Sequence, residues 1–424
     1  MCAACAVMVV TAVAVGRSTL FAREPETPAP ALLETSEAQR RQYLADAVIW
    51  RPSGVPTPEQ IRQGPPGRYP LEGVTPNADG EIACRYLRGG AGSPGRTAKF
   101  TCRTENGRSI RIKYYDGDVR TGNREVFAEV AATRLFWAVG FDADPMYPVA
   151  IRCLDCPSDP MSGTGPRASR RYLGVVEAFY EGTIISSGGD LNQGWRFGEI
   201  STAIAAMPQG EAQARQQMYF DALSLLAVFV QHGDRKPSQQ RLVCQAPLDL
   251  SAGDVHPVDD DAGFHLPVLL ERDGEKACPQ SVLTIQDLGA TFGGAGQFTL
   301  NVRAKVHLSS WAGTAMFANR AVSRSQPAVI PPCRGNIVSS SSAGPGAEDN
   351  PRIGDAGRRF LHERLSALTP DHVRAIFETA RLDELDEPQQ WRDPKTGRLL
   401  TGIDAWVGVF LHKVDEIGSV SCPA

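Results

Sequence analysis

A change of periodicity near residue 81 constrains the fold of this chain more than any other feature of its sequence. Apolar and polar residues alternate over 82–87, 97–103 and 109–115, as is typical of half-buried β-strands, and Asn106-Gly107 is a turn signal between the last two. The next segment, 123–139, instead places apolar residues at helical spacing. Antiparallel strands that lead into a helix predict a protein of the α+β class.

The rest of the chain is predicted to be mainly helical. A further strand is expected at 173–179, and helical patterns recur in four places: 36–50, 213–231, 358–382 and 402–414. Three segments without periodicity are predicted to be loops: 153–171, the acidic stretch 249–261 and the Ser/Pro/Gly-rich stretch 320–355. These patterns divide the chain into four parts: an apolar leader (1–22), a linker with a docking helix (23–80), a strand-rich lobe (81–178) and a helical lobe (179–424) that carries the 320–355 insertion.

Composition indicates a globular chain and excludes some partners. The 424 residues contain 44 Lys+Arg and 48 Asp+Glu, a net charge of −4. This balance argues against nucleic acid as a partner, because nucleic-acid-binding proteins normally carry a basic excess.

The first residues predict export. Residues 3–15 are almost purely apolar. The run is shorter than the roughly 20 residues of a membrane-spanning helix, so no stable transmembrane span is expected, and it has the length of the apolar part of a signal peptide. We therefore expect a secreted protein, periplasmic or extracellular. Because no Lys or Arg precedes the run, a short buried helix in a cytoplasmic protein is the alternative.

The cysteines agree with export. Ten are present, and eight of them follow the leader. An even set in an exported chain predicts disulfides. Cys84 with Cys102 and Cys244 with Cys278 are the expected pairs, because each would join neighbouring strand candidates. Cys153-x-x-Cys156 leaves a zinc site open as an alternative, although no second Cys-x-x-Cys or His-x-x-x-His follows it.

Three polar segments carry candidate catalytic groups. Lys113 lies near the end of the third predicted strand, and Glu129 follows on the helix. Further on, Asp234 precedes Gln239 by five residues, and a later strand ends in Asp287-Leu288-Gly289. Carboxylates and amides of this kind can deprotonate a hydroxyl or supply oxygen ligands to magnesium. Each segment alone has an ordinary alternative. Lys113 and Glu129 can be surface charges, the segment from Asp234 to Gln239 can be a polar loop, and Asp287-Leu288-Gly289 can be a simple connection from a strand to a loop.

A glycine-rich turn lies between the first two predicted strands. Gly90, Gly92 and Gly95 fit the pattern G-x-G-x-x-G. Such a turn allows the backbone to approach phosphates closely. A plain hairpin turn is the alternative.

In this order, the segments resemble the atypical kinase superfamily, which contains the secretory-pathway Golgi casein kinases, the persister-toxin serine kinases and the phosphoinositide kinases. The helical sequence 127–132 is similar to the helix of the secretory kinases whose glutamate pairs with the lysine. This similarity favours Glu129 over Glu125 as the partner of Lys113. Asp234-Arg235-Lys236 resembles the Asp-Arg-His of these groups, and Asp287-Leu288-Gly289 resembles the kinase Asp-Phe-Gly. The resemblance covers roughly residues 81–310.

The resemblance implies a two-lobed protein-kinase-like α+β fold, with a small antiparallel-sheet lobe and a mainly helical lobe. It also implies an ATP-dependent phosphotransferase that uses Mg²⁺ or Mn²⁺ and acts on a hydroxyl of an unknown protein or glycan. The implied roles are these: phosphate binding by Lys113, Gly90, Gly92 and Gly95; positioning of the lysine by Glu129; base catalysis by Asp234; and metal binding by Asp287 and Gln239.

Gln239 departs from the pattern, because Asn or Glu is usual at that place. The main alternative is therefore an exported pseudokinase or nucleotide-binding scaffold without turnover. Transfer of a nucleotide monophosphate and a purely structural exported domain are further alternatives.

Overall fold

The computed structural model describes residues 32–91, 97–115, 124–178, 182–190, 192–233, 235–245, 270–272, 275–293, 306–318, 333–337, 350–385 and 388–422. The predicted leader (1–22) and the acidic loop (249–261) lie outside these residues, as does most of the predicted insertion (320–355). The described part combines helices and strands, which confirms the α+β class.

The elements are numbered in chain order. The strands are β1 (Leu32–Thr35), β2 (Ile82–Gly89), β3 (Lys99–Thr104), β4 (Ser109–Tyr114), β5 (Met146–Asp159), β6 (Thr164–Glu177), β7 (Thr183–Ser187), β8 (Gln240–Gln245), β9 (Leu270–Arg272), β10 (Glu275–Ala277), β11 (Gln280–Ile285), β12 (Gln390–Arg392) and β13 (Leu399–Thr401). The helices are α1 (Glu37–Ala45), α2 (Pro58–Gln63), α3 (Glu125–Ala138), α4 (Phe197–Ala205), α5 (Glu211–Phe229), α6 (Leu308–Gly313), α7 (Asp355–Ser366), α8 (Pro370–Thr379) and α9 (Ile403–Gly418). Single 3₁₀ turns lie at Pro237–Gln239 and Leu382–Glu384.

Five strands close into a barrel in the order β2-β3-β4-β6-β5. Neighbouring strands pair antiparallel, except that β2 and β5 pair parallel and so close the ring. The prediction of a small antiparallel sheet is therefore wrong in its topology. Because β5 pairs with both β6 and β2, these five strands leave no edge strand of the barrel unpaired. Phe100, Ile112 and Ile151 are among the side chains that fill the interior.

The long hairpin of β5 and β6 occupies most of the segment that was predicted to be a loop at 153–171. Its two strands pair along nearly their whole length, with register shifts near Cys156 and Asp159. The first six residues of β6 are all exposed. This part of β6 has no buried face and therefore no alternation of apolar residues, and the register shifts interrupt the alternation of β5, which is why the sequence pattern did not indicate strands here.

Helix α3 lies between the barrel and the helical part of the molecule. It contacts β5 and β6 on one side and α8 on the other, and all of its residues except Trp137 are buried. A helix with apolar residues on every face is expected at such a central position. Gly140 ends the helix at φ +90°, where a Cβ atom would lie 2.5 Å from the Arg51 carbonyl oxygen, so this position requires glycine.

Two predicted helices, 36–50 and 358–382, differ from the helices in the structure. The docking helix begins at the Ser36 cap, whose hydroxyl accepts a hydrogen bond from the Gln39 backbone, and ends at Ala45 rather than near residue 50. Beyond it, the chain is extended and Val48 bridges to Val282. The single helix predicted at 358–382 is two helices, α7 and α8. Pro370 starts the second one, because proline fits the first turn of a helix but not its interior.

The helical part is built on a four-stranded sheet and an aromatic core. The sheet has the order β1-β7-β8-β11. Six fully or nearly fully buried aromatic side chains pack against one another beside it: Phe229, Phe292, Trp311, Phe377, Trp406 and Phe410. Among the described residues, we find no helix with the length and apolar character needed to cross a membrane.

Four disulfides cross-link the described part of the chain: Cys84–Cys102, Cys153–Cys156, Cys244–Cys278 and Cys333–Cys422. Both predicted pairs are confirmed. Cys153 and Cys156 bond to each other, so they are not available as zinc ligands. Disulfides in this number are typical of proteins from oxidising, extracytoplasmic compartments.

Candidate functional site

Lys113 and Glu129 form an ion pair between the barrel and α3. Along β4, Ile112 and Tyr114 point into the barrel, so Lys113 between them points outward to the helix. Its Nζ atom lies 2.7 Å from Glu129 Oε1, and the side chains of the two residues are only 12% and 1% exposed. The ion pair expected from the sequence is present.

A second carboxylate supports Lys113. Glu177, near the end of β6, places its Oε2 atom 3.9 Å from Lys113 Nζ. Burial acts to lower the pKa of Lys113, but the negative charges of Glu129, Glu177 and Asp287 outweigh it and hold that pKa above its ordinary value. Burial raises the pKa of Glu129, and Lys113 opposes that rise. The lysine is therefore a firmly charged cation at neutral pH.

The Asp287-Leu288-Gly289 segment lies against this ion pair. It begins two residues after the end of β11 and turns so that the Gly289 backbone N–H donates to Asp287 Oδ1 at 2.9 Å. A Cβ atom on Gly289 would lie 3.1 Å from Glu129 Oε1 and 2.9 Å from the Cβ of Glu125. The absence of a side chain at Gly289 thus allows the segment to approach α3 closely.

Gln239 reaches the same segment from the other side. Its Nε2 atom donates to Asp287 Oδ2 at 3.2 Å, and its backbone carbonyl accepts from the Gln286 N–H at 2.8 Å. The fold thus brings together four of the residues singled out in the sequence, Lys113, Glu129, Gln239 and Asp287.

Three further predicted site residues, Asp234, Gly92 and Gly95, lie outside the described residues. The residue before Asp234 is described: the Gly233 N–H donates to the Ala290 carbonyl at 3.2 Å. Gly90 is also described, and its N–H donates to the Lys99 carbonyl at 3.0 Å.

The sequence pattern missed two charged residues of this site, Lys99 and Glu177. Lys99 pairs with Lys113 across β3 and β4, so the two side chains leave the barrel on the same face. Glu177 ends a strand whose alternation puts it on the face of Val175, which pairs with Lys113. The alternation of 173–179 could have indicated Glu177, whereas finding Lys99 needs the register of the two strands.

The donor set suits a magnesium or manganese ion that is shared with a substrate. Within the described ranges, no group of three or more His, Cys, Asp or Glu side chains could hold a metal. Mg²⁺ is commonly bound by one or two carboxylates together with substrate phosphates. Asp287 offers a carboxylate, and the Gln239 amide offers an oxygen when it rotates by half a turn. These residues fit such an ion.

Comparisons with known proteins do not assign this chain to a family. No protein-family model matches the sequence, and no match to a curated protein was found. The fold is similar to the proinflammatory kinase CtkA of Helicobacter pylori, at 11% identity and a TM-score of 0.36, over 76% of this chain and 90% of that chain. It is also similar to the open conformation of CtTel1, at 13% identity and a TM-score of 0.24, over 77% of this chain and 11% of that chain. Both TM-scores are below 0.5, so neither likeness supports a conclusion about function.

Proposed function

We propose that this protein is an ATP-dependent phosphotransferase with a two-lobed, kinase-like arrangement, which acts on a hydroxyl of a protein or glycan. In this proposal, the barrel takes the place of the small lobe. The observation that carries it is the close approach of two segments far apart in sequence: Gly289 of the Asp287-Leu288-Gly289 segment lies directly against Glu129, the partner of Lys113.

The roles of the residues follow from charge and position. Lys113, fixed by Glu129, would bind nucleotide phosphates as a point charge. Asp287, with Gln239, would hold Mg²⁺ or Mn²⁺, which neutralises phosphate charge when bound. Asp234 would accept the proton of the acceptor hydroxyl.

The second candidate is an exported pseudokinase or nucleotide-binding scaffold. One residue favours it: Gln239 lies where the resemblance expects Asn or Glu. The longer Gln side chain also holds an ion less rigidly than the usual Asn.

The two candidates are separated by measuring binding and turnover on one set of purified, oxidised proteins. Thermal shift with ATP and Mg²⁺ or Mn²⁺ measures binding, because a ligand that binds the native state raises the melting temperature. ATP consumption measures turnover. The set contains the parent, Asp287→Ala, Asp234→Asn and Gln239→Asn, with Lys395→Met as a control whose lysine is 64% exposed and pairs with Asp415.

We expect Asp287→Ala to lose both binding and turnover, and Asp234→Asn to lose turnover alone. Gln239→Asn should keep or improve turnover, since it restores the shorter ligand. A parent that binds ATP without turnover would support the scaffold. A parent that does not bind ATP would contradict both candidates.

A further inference from the structure

A cavity lies between α2, with its flanking loops, and the C-terminal end of α3. Its volume is about 810 Å³, and its walls come mainly from residues between 53 and 67, together with Tyr69, Glu72 and Trp137. Three large apolar side chains are exposed in the described residues, and two of them, Val55 and Tyr69, line this cavity, each 40% exposed. Trp137 is the one residue of α3 that is not buried. A concave and largely apolar surface of this size is typical of a small-molecule site.

Arg134, one turn before Trp137 on α3, carries a buried charge. None of its surface is exposed, and its three guanidinium nitrogens have no hydrogen-bond partner within the described part of the chain. The guanidinium group lies over the ring of Tyr147, 4.5 Å from the ring centre. Burial lowers the pKa of Arg134 to about 10, and Tyr147 opposes this, so the group keeps its charge at neutral pH. A buried cation without an anionic partner costs free energy, which an anionic ligand would offset.

Arg134 faces the cavity across one turn of the chain. Residues three apart lie on the same face of a helix, so Arg134 and Trp137 point to the same side of α3. A Cβ atom on Gly64, in the cavity wall, would lie only 2.4 Å from Nη2 of Arg134. The 64–67 turn between them has the sequence Gly-Pro-Pro-Gly, with φ of +89° at Gly64 and +70° at Gly67. Because glycine changes its backbone conformation more easily than other residues, the turn has a hinge at each end.

The middle of this turn is attached to the protein by a side-chain hydrogen bond. Pro65 and Pro66 have no N–H to donate, and the Tyr147 hydroxyl donates to the Pro65 carbonyl at 3.1 Å. A shift of the 64–67 turn gives up this hydrogen bond and brings the cavity into contact with the guanidinium group of Arg134.

The charges at the cavity favour a ligand with one negative charge. Arg134 is a single cation, and Glu72 alone is charged among the described residues that line the cavity. A phosphate dianion would meet this carboxylate with only one guanidinium group to balance it. A ligand carboxylate carries one charge and matches the planar guanidinium group with two parallel hydrogen bonds. The apolar walls suit an aromatic or aliphatic body.

We propose that this cavity binds a small organic carboxylate with an aromatic or aliphatic body, and that the carboxylate pairs with Arg134 when the 64–67 turn shifts. The site is separate from the proposed phosphotransfer site, because Glu129 is five residues away on α3 and therefore on a different face of the helix. The inference does not rest on the proposed function.

The test uses isothermal titration calorimetry on the purified, oxidised protein with a matched pair of probes. The probes are indole-3-acetate and its neutral isostere indole-3-acetamide, and inorganic phosphate tests for a general anion site. The parent should bind indole-3-acetate about tenfold or more tightly than the amide, because only the anion forms charge-assisted hydrogen bonds. Phosphate should not compete with indole-3-acetate.

Arg134→Met keeps an apolar side chain and removes the charge. This variant should bind indole-3-acetate about tenfold or more weakly than the parent, and its binding of the amide should change less than about twofold. Urea unfolding should show it to be as stable as the parent or more so, since the substitution removes a buried charge and breaks no ion pair. Lys395→Met, which removes the charge of an exposed lysine, should bind both probes as the parent does.

The contrary results are distinct. A parent that binds the two indole compounds equally, or neither of them, would overturn the inference without any variant. Parental binding of indole-3-acetate by Arg134→Met would also overturn it. Equal losses for the two compounds would show that Arg134 only maintains the shape of the cavity, and competition by phosphate would show a general anion site; each of these results contradicts the inference. None of them bears on the proposed function.

Discussion

The barrel and the helical part of the molecule are stabilised in different ways. The barrel interior holds two disulfides, Cys84–Cys102 and Cys153–Cys156, with sequence separations of 18 and 3. In the helical part, the separations are 34 for Cys244–Cys278 and 89 for Cys333–Cys422, and a cluster of packed aromatic rings supplies much of the core. A small barrel buries less of its surface, so local cross-links supplement its core.

The candidate site lies where these two regions meet. The barrel contributes its cations, Lys99 and Lys113, on the outer face. The carboxylate of Glu129 comes from α3, and that of Asp287 comes from the segment after β11. The apolar residues next to both, such as Val130 and Leu288, belong to the larger core. We therefore predict that substitutions in the barrel and in the helical part change stability by different amounts. We also predict that ligand binding requires residues of both regions.

The largest effect is expected from the disulfide that closes the longest loop. Cross-links stabilise in part by restricting the unfolded chain, and the gain increases with loop length. We expect removal of Cys333–Cys422 to cost about 4–5 kcal/mol, that of Cys84–Cys102 about 3 and that of Cys153–Cys156 about 2. Urea unfolding of the three Cys→Ala double variants measures the ranking. A barrel disulfide that costs more than Cys333–Cys422 would break the comparison.

The next effect concerns the aromatic core. Trp311 is fully buried, its indole N–H donates to the Phe229 carbonyl at 2.7 Å, and its ring stacks on Trp406 at 5.7 Å between centroids. Trp311→Ala should cost about 3–5 kcal/mol, from lost burial and the cavity left behind. The control Leu399→Ala removes a side chain that is 47% exposed and should change stability by less than about 0.5 kcal/mol. Similar unfolding midpoints for the two variants would contradict the account of this core.

A smaller effect is expected at the junction itself. Gly289→Ala places a methyl group 2.9–3.1 Å from Glu125 and Glu129, and overpacking of this kind costs about 1–3 kcal/mol. Because the methyl group also displaces Glu129 from Lys113, ATP binding should fall together with stability. Gly54→Ala is the control, since no atom lies within 4 Å of its added Cβ. Normal ATP binding by Gly289→Ala would show that the close approach is not needed for the site.

The smallest effect, about 1 kcal/mol for each pH unit above pH 8, is a dependence on pH that comes from Lys413 in the helical part. Burial lowers the pKa of Lys413 to about 8, and Glu416 opposes this. Between pH 8 and about 10.5, the unfolded chain keeps a proton on this lysine that the folded chain has lost, so stability rises with pH through that window. Lys413→Met should remove this rise, measured as the difference between the two proteins' free energies of unfolding. Parallel curves would show that Lys413 does not titrate as the structure indicates.

Regular periodicity explains which parts of the fold the sequence could predict. The strands β2 to β4 and helix α3 each have one buried face or are buried throughout, and their patterns are clear. In the β5–β6 hairpin, β5 alternates up to Cys153, but the first six residues of β6 are all exposed, so this far end of the hairpin carries no such pattern. The break at Pro370 was available in the sequence as a helix-start signal, but the apolar spacing continues across it and predicted one helix.

The site was predictable to the extent that it depends on residue order along the chain. Lys113, Glu129 and Asp287 were singled out because they occur in this order on recognisable elements: near the end of a strand, within the next helix and after a later strand. Lys99 was not, because its position opposite Lys113 depends on the hairpin register, which becomes visible only when the turn at Asn106-Gly107 is built.

Hydrogen exchange with and without Mg²⁺–ATP tests most directly whether the two regions form one nucleotide site. The backbone amides of 111–114 belong to the barrel, and those of 286–289 belong to the segment after β11. One ligand bound by both regions should slow exchange in both segments with the same dependence on nucleotide concentration, and Asp287→Ala should abolish the effect in both. Protection of one segment without the other, or of neither, would contradict the account.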